Sequence, residues 1–314
     1  MTYGMAETMK VAYVFPGQGS QGVGMGRDLY QGFGSAKAIF EQADKALGFP
    51  LSKLCFEGPE DELLQTINAQ PAIVTVSFAC LEAIRGARGL APASFVAGHS
   101  LGEYTALAAA GVLDFATTVY LARERGRLMH EAGQIKAGGM AAIIGLDESL
   151  LAEVCAETGV RIANINCPGQ IVISGAEDNL TQAMDLAKAR GANRVIRLQV
   201  SGAFHTPLMQ PAVDGMAEII ATLSFNQPTI PIIGNTTAQP LATAELVKEE
   251  LLRQLCNCVQ WQRSVEYMIN GGVSTFIEIG PGRVLAGLIK RVDRNVKIVN
   301  IGDAEAVRLI NDSF

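Results

Sequence analysis

The stretch from residue 94 to residue 110 constrains the fold more than any other part of the chain. A short apolar run, 94–97, ends in Gly98-His99-Ser100-Leu101-Gly102, and a helical pattern over 103–110 begins at once. G-x-S-x-G between a buried strand and a helix is a sharp turn that presents a serine at the end of a sheet. The flanking glycines remove the Cβ atoms that would clash in such a turn. The following helix aims its N-terminal dipole and free N–H groups at the same point. The Leu101 N–H is then placed to stabilise a tetrahedral oxyanion. A serine here could equally be a plain helix cap; the strand–turn–helix context makes Ser100 the candidate nucleophile.

The same alternation recurs along the chain. The apolar run 11–15 closes at Pro16-Gly17 and reads as a buried strand and a turn. Helical patterns follow over 34–47, 70–85 and 115–131. Strands alternating with helices imply a parallel sheet covered on both faces. The middle changes character: strand 140–146, helix 148–157, strands 160–166 and 170–174 around Cys167-Pro168-Gly169, helix 177–190 and strand 194–200. That order, βαββαβ, is ferredoxin-like. A helix after Pro211, a strand at 230–234, helices within 243–270 and a strand at 275–279 complete the chain. The expected fold is therefore α/β: a parallel-sheet, hydrolase-like large domain from 10–137 and 201–314, with a ferredoxin-like small subdomain inserted at 138–200.

Composition narrows the partners. The formal net charge is -6, which leaves no excess of Lys and Arg to neutralise phosphates, so no nucleic-acid partner is expected. Six scattered cysteines without a CxxC pair read as reduced structural thiols in a cytosol-like compartment, with no metal site. No apolar run approaches the ~20 residues of a membrane span, so no membrane association is expected. Residues 1–9 lack a signal-peptide pattern and are expected to form a disordered lead, with Met5 and Met9 as alternative starts.

A serine hydroxyl needs a base. Only His99, His130 and His205 are available. His99 adjoins the nucleophile and His130 sits late in a helix, where a solvated histidine meets the dipole favourably. His205 lies in the loop Ser201-Gly202-Ala203-Phe204-His205-Thr206-Pro207 and is the base by elimination. No acid stands out to orient it. In the helix at 115–131, Arg125 falls inside the apolar arc of Val119, Leu121, Ala122, Leu128 and Met129, while Arg123 and Arg127 fall on the polar side. A buried arginine needs an anion. That anion is either a structural carboxylate or the carboxylate of a substrate gripped bidentately, which would select a diacid half-ester over acetyl. The turn Pro16-Gly17-Gln18-Gly19-Ser20-Gln21-Gly22 fits neither a dinucleotide fingerprint nor a P-loop. It is a simple tight turn or a source of a second oxyanion donor, the Gln18 N–H.

Taken together, Phe-Pro-Gly-Gln-Gly-Ser-Gln at 15–21, Gly-His-Ser-Leu-Gly-Glu-Tyr at 98–104, Arg-Gly-Arg-Leu-Met at 125–129, Asn166-Cys167-Pro168-Gly169-Gln170, Ser-Gly-Ala-Phe-His at 201–205, Val-Gln-Trp at 259–261 and Glu-Ile-Gly-Pro-Gly at 278–282 resemble the malonyl-CoA:acyl carrier protein transacylases. The resemblance runs from about residue 10 to the end. It implies Ser100 as the acylated nucleophile, His205 as general base, Arg125 on the malonyl carboxylate, and the Gln18 and Leu101 N–H groups as oxyanion hole. It also implies Gln260 as the residue whose main-chain carbonyl orients His205, and His99, Met129, Phe204 and Asn166 at the substrate. Phe204 looks like the malonyl-selecting version of its position. Cys258 departs from the proline common before Val-Gln-Trp.

The implied reaction is a ping-pong transfer from malonyl-CoA to the phosphopantetheine thiol of an acyl carrier protein, supplying fatty acid biosynthesis in the cytoplasm or a plastid-stroma-like compartment. Coenzyme A thioester is then substrate, and no cofactor is permanently bound. The alternatives are a stand-alone acyltransferase loading polyketide synthase carrier proteins, and a serine thioesterase or hydrolase.

Overall fold

A computed structural model describes residues 10–85 and 90–310. The chain runs through β1 (Lys10–Phe15), α1 (Arg27–Gly32), α2 (Gly34–Leu47), α3 (Leu51–Glu57), α4 (Glu60–Leu64), α5 (Thr66–Arg85), β2 (Ala93–Gly98), α6 (Gly102–Ala109) and α7 (Phe115–Ile135). Next come β3 (Gly138–Ile144), α8 (Glu148–Thr158), β4 (Arg161–Cys167), β5 (Gln170–Ala176), α9 (Glu177–Ala189) and β6 (Arg194–Arg197). The last part holds α10 (Gln210–Ala221), β7 (Ile232–Ile233), β8 (Pro240–Leu241), α11 (Ala244–Cys256), α12 (Trp261–Asn270), β9 (Val273–Ile279), α13 (Val284–Val292), β10 (Lys297–Ile301) and α14 (Ala304–Leu309). The lead expected at 1–9 lies outside the described residues.

β1 shows why the large sheet is covered on both sides. Val11, Tyr13 and Phe15 join one apolar core, and Ala12 and Val14 join another. A strand with no solvent face belongs in the middle of a sheet between helices. The six strands run β10-β9-β1-β2-β7-β8, parallel throughout except for the β7–β8 hairpin pair. The nucleophile turn therefore leaves the C-terminal end of a central strand, where crevices form in open α/β sheets.

The second sheet, β4-β5-β3-β6, is antiparallel, with α8 and α9 on one face. Its side chains alternate as the pleat requires. Ala141 and Ile143 pack under those helices, while Met140 and Ala142 join the main core. The βαββαβ order expected from sequence is the order observed. β6 is shorter than expected, ending at Arg197 instead of residue 200. Edge strand β4 is tied to the rest of the chain through Val259: the Ile165 N–H donates to the Val259 carbonyl (2.9 Å) and the Val259 N–H to Ala163 (2.8 Å).

α5 begins at Thr66, four residues before the expected helix, and carries Pro71 in its first turns. It is long and apolar enough to cross a membrane, contrary to the reading of apolar runs alone. Most of it is buried, and it packs along α7, which makes it the core helix of the large unit.

Candidate active site

The turn after β2 is as tight as its glycines suggest. A Cβ at Gly98 would lie 1.9 Å from the Gly102 carbonyl carbon, and one at Gly102 would lie 2.0 Å from the Phe15 carbonyl oxygen. Ser100 itself adopts φ +50°, in the left-handed region that costs a side-chain-bearing residue about 1–3 kcal/mol. Within the turn, the N–H groups of His99, Ser100, Gly102 and Glu103 are all engaged. The Leu101 N–H has no acceptor among the described residues and stands at the start of α6.

His205 occupies the loop between β6 and α10, also at positive φ (+60°). Its Nε2 is 2.9 Å from Ser100 Oγ. Its Nδ1 is 2.7 Å from the Gln254 main-chain oxygen. A carbonyl can only accept, so Nδ1 carries the proton and Nε2 is free to accept from the serine. The carbonyl expected from Gln260 thus comes from Gln254. Gln260 instead stands before α12, where its carbonyl accepts from the Ser264 N–H (2.9 Å). The physical reason is the end of a helix: α11 stops at Cys256, and the last carbonyls of a helix have no partner within it. Gln254 offers one such carbonyl, at the negative end of the helix dipole, in the role an aspartate plays in other triads. Burial and the positive charge of Arg125 lower the His205 pKa to about 3, which holds the imidazole neutral.

Arg125 lies on the buried side of α7 and is 1 % exposed. Among the described residues no carboxylate comes within ion-pair distance of it. Nη1 donates to Gln70 Oε1 (2.9 Å), and Nη2 donates to Gln254 Oε1 (2.7 Å) and Ser100 Oγ (3.1 Å). Nε has no hydrogen-bond partner. The guanidinium carbon lies 5.3 Å from the Tyr104 ring centroid. Two neutral amides thus hold the cation in place without neutralising it. Arg123 and Arg127 are on the polar side as expected: Arg127 pairs with Glu124 and Glu131, and Arg123 donates to the Ile67 carbonyl.

A cavity of about 480 Å³ brings Gln18, His99, Ser100, Arg125, Met129, Asn166, Phe204 and His205 to one surface. His99 Nε2 is 2.8 Å from Asn166 Oδ1, which joins the two sheets across the cleft. Gln18 Nε2 donates to Thr66 Oγ1 (3.1 Å). Of the residues expected at the site, Gln260 alone is not brought to the Ser100–His205 pair. Gln70, Glu103, Asn235 and Gln254 were not anticipated. Glu103 stands inside the nucleophile motif, and its charge on an otherwise apolar helix was the available signal. Gln254 and Asn235 carried none. Among the described residues no group of three or more His, Cys, Asp or Glu side chains is placed to hold a metal. All six cysteines are free.

The geometry can take a proton from a serine, steady an oxyanion and bind an anion beside the nucleophile. Comparison with known proteins points the same way. An acyl transferase domain matches residues 12–309. The malonyl CoA-acyl carrier protein transacylase of Bacillus subtilis is 46 % identical over 305 residues, covering 96 % of both chains, and that of Escherichia coli strain K12 is 45 % identical over 285 residues, covering 90 % of this chain and 92 % of its own. The chain belongs to the malonyl-CoA:acyl carrier protein transacylase family. Among solved transacylase structures, the acyl-carrier-protein S-malonyltransferase of Bartonella henselae superposes with a TM-score of 0.93 at 40 % identity, covering 97 % of this chain and 99 % of the other. A malonyl-transacylase in complex with its type II polyketide acyl-carrier protein gives 0.93 at 38 % identity, over 97 % and 100 %. The transacylase fold is thus shared over nearly the whole chain, including both sheets.

Proposed function

We propose that this chain transfers a malonyl group from malonyl-CoA to the phosphopantetheine thiol of an acyl carrier protein through an ester on Ser100. The observation that carries the reading is a buried guanidinium without a carboxylate partner, 3.1 Å from a serine that is itself paired with a neutral histidine. A buried charge with no direct ion pair costs several kcal/mol, of which Glu103, reached through Gln254, offsets only a part. A substrate carboxylate removes that cost and is thereby fixed next to the nucleophile.

In the first half-reaction Arg125 holds the carboxylate and the thioester carbonyl lies against Ser100. Ser100 Oγ attacks the carbonyl carbon while His205 Nε2 takes the hydroxyl proton. The Gln18 and Leu101 N–H groups receive the developing oxyanion. The C–S bond breaks, the CoA sulfur takes the proton from His205, and malonyl-Ser100 remains. The carrier-protein thiol then gives its proton to His205 and attacks the ester in reverse. Between the two steps, the buried anchor and the apolar wall of Met129 and Phe204 exclude water from the ester. His99 and Asn166 stand where the acyl chain enters.

We take 10–137 and 201–314 as the catalytic unit and 138–200 as an inserted subdomain. We also take CoA thioester as the only small-molecule requirement, the cytoplasm or a stroma-like compartment as the location, and fatty acid synthesis as the pathway served. The test is incubation with malonyl-, methylmalonyl- and acetyl-CoA followed by intact-mass analysis, with and without holo carrier protein. A malonyl adduct should form, map to Ser100, vanish in Ser100→Ala and transfer to carrier protein. An adduct surviving in Ser100→Ala, or malonyl-CoA loss that ignores carrier protein, defeats the reading in favour of another nucleophile or a hydrolase.

A further inference from the structure

Both backbone groups of Ser100 are held from outside its own turn. Its N–H donates to Asn235 Oδ1 (2.7 Å), and its carbonyl accepts from Gln254 Nε2 (3.0 Å). Asn235 Nδ2 also donates to the Gly98 carbonyl (2.7 Å), bracketing the turn. These contacts come from the segment after β7 and from α11, both remote in sequence. They act on a residue whose φ of +50° persists only where its surroundings over-determine it.

The two amides converge on one carboxylate. Glu103 Oε1 accepts from the Asn235 N–H and Nδ2 (both 2.9 Å), and Oε2 accepts from Gln254 Nε2 (2.6 Å). Glu103 and Gln254 are fully buried and Asn235 is 1 % exposed. Burial, and after it the neighbouring Glu250, holds the Glu103 carboxyl well above the ordinary carboxylate range, the N–H donors and Arg125 offsetting only part of that. Each of its oxygens faces only N–H groups, the surroundings of an ionised, acceptor-only carboxylate.

An acceptor-only group dictates which way a neighbouring amide turns. With both NH2 groups drawn to Glu103, the Asn235 oxygen must face the Ser100 N–H and the Gln254 oxygen must face Arg125. Turning either amide over would set donor against donor at the nucleophile or at the guanidinium. We propose that Glu103 is a positioning residue that, through Asn235 and Gln254, fixes the nucleophile turn and the anion-binding guanidinium together. It touches neither substrate nor reacting atoms. The inference rests on the malonyl-transfer reading and adds to it a link between the Ser100 turn and the carboxylate-binding guanidinium.

Glu103→Gln keeps the shape and replaces one acceptor with a donor. Either Asn235 or Gln254 then loses its partner or turns over. Asn235→Ala removes the arm on Ser100 and Gly98, with one donor to Glu103, and leaves the arm through Gln254 to Arg125 in place. The measurement is the rate of Ser100 acylation by malonyl-CoA and by acetyl-CoA, per folded molecule, with folding checked by near-UV circular dichroism and thermal unfolding. For folded Glu103→Gln, acylation by malonyl-CoA should fall about 100-fold, as for a misplaced reacting group. Its malonyl-to-acetyl ratio should fall by roughly tenfold or more, as for a disturbed charge-assisted hydrogen bond. Asn235→Ala should slow both substrates alike and leave the ratio unchanged. A folded Glu103→Gln with wild-type rate or wild-type ratio overturns the proposal. So does Asn235→Ala with wild-type rates, which decides the matter if Glu103→Gln does not fold. A wild-type protein left unlabelled by malonyl-CoA defeats the transfer reading itself, a result distinct from labelled wild type with indifferent variants.

Discussion

At the scale of single residues, the site depends on Arg125 being charged, buried and held by neutral groups. Gln70 and Gln254 accept from it without cancelling its charge, so a carboxylate arriving beside Ser100 meets a cation already desolvated and oriented. Arg125→Ala should therefore cost acylation by malonyl-CoA about 2–5 kcal/mol, the range for truncating one member of a buried charge pair. Acetyl-CoA, which brings no carboxylate, should lose far less. Parallel acylation rates with the two thioesters check this, and equal losses would make Arg125 a structural residue. The placement of Arg125 was legible in the sequence because helical periodicity assigns a face without knowledge of what covers it. The lack of a directly paired carboxylate was not legible, since it depends on which side chains α5 and α11 bring across.

At the scale of elements, α5 and α7 set the position of that arginine. Gly126, next to Arg125, lets the helices approach: a Cβ there would lie 2.7 Å from the Thr66 carbonyl oxygen and 2.9 Å from Ile67 Cα. Both contacts are backbone, so no rotamer change relieves them. Gly126→Ala should destabilise the fold by about 1–3 kcal/mol, as overpacking does, despite the gain in helix propensity. Urea unfolding measures it, and an unchanged or raised midpoint contradicts the close packing. Most long elements were readable from periodicity, among them β1, α2, α6, α7 and the whole βαββαβ order. Several short ones were not, including α1, α3, α4 and β8, because a few residues carry too little pattern to tell one period from another. α13, β10 and α14 follow the last expected strand and were also missed. More than one helix was expected within 243–270, but not where the first of them stops, and that position matters because the end of α11 exposes the Gln254 carbonyl to His205.

At the scale of the whole molecule, two sheets close over one cavity, and the enclosure has a thermodynamic signature. His205 has a pKa near 3 in the folded protein against an ordinary value of 6.5, so between those limits the unfolded chain binds a proton that the native one does not. Stability contributed by neutral His205 is thus fully present above about pH 6.5 and is lost as pH falls from there toward 3, at about 1.4 kcal/mol per pH unit. His205→Gln should remove that slope, leaving carboxylate titrations in place. The comparison is unfolding free energy against pH for the two proteins, and parallel curves would mean that His205 is not held neutral. By itself the sequence determined the alternation of strands and helices, the nucleophile turn, the only plausible base and the buried face of Arg125. The base follows from there being only three histidines, and the others from local sterics and periodicity. Tertiary structure alone decided which carbonyl orients His205, which amides hold Arg125, and that Glu103 sets the direction of both. Those partners lie 49 to 151 residues apart, and hydrogen-bond direction is fixed only when the groups meet.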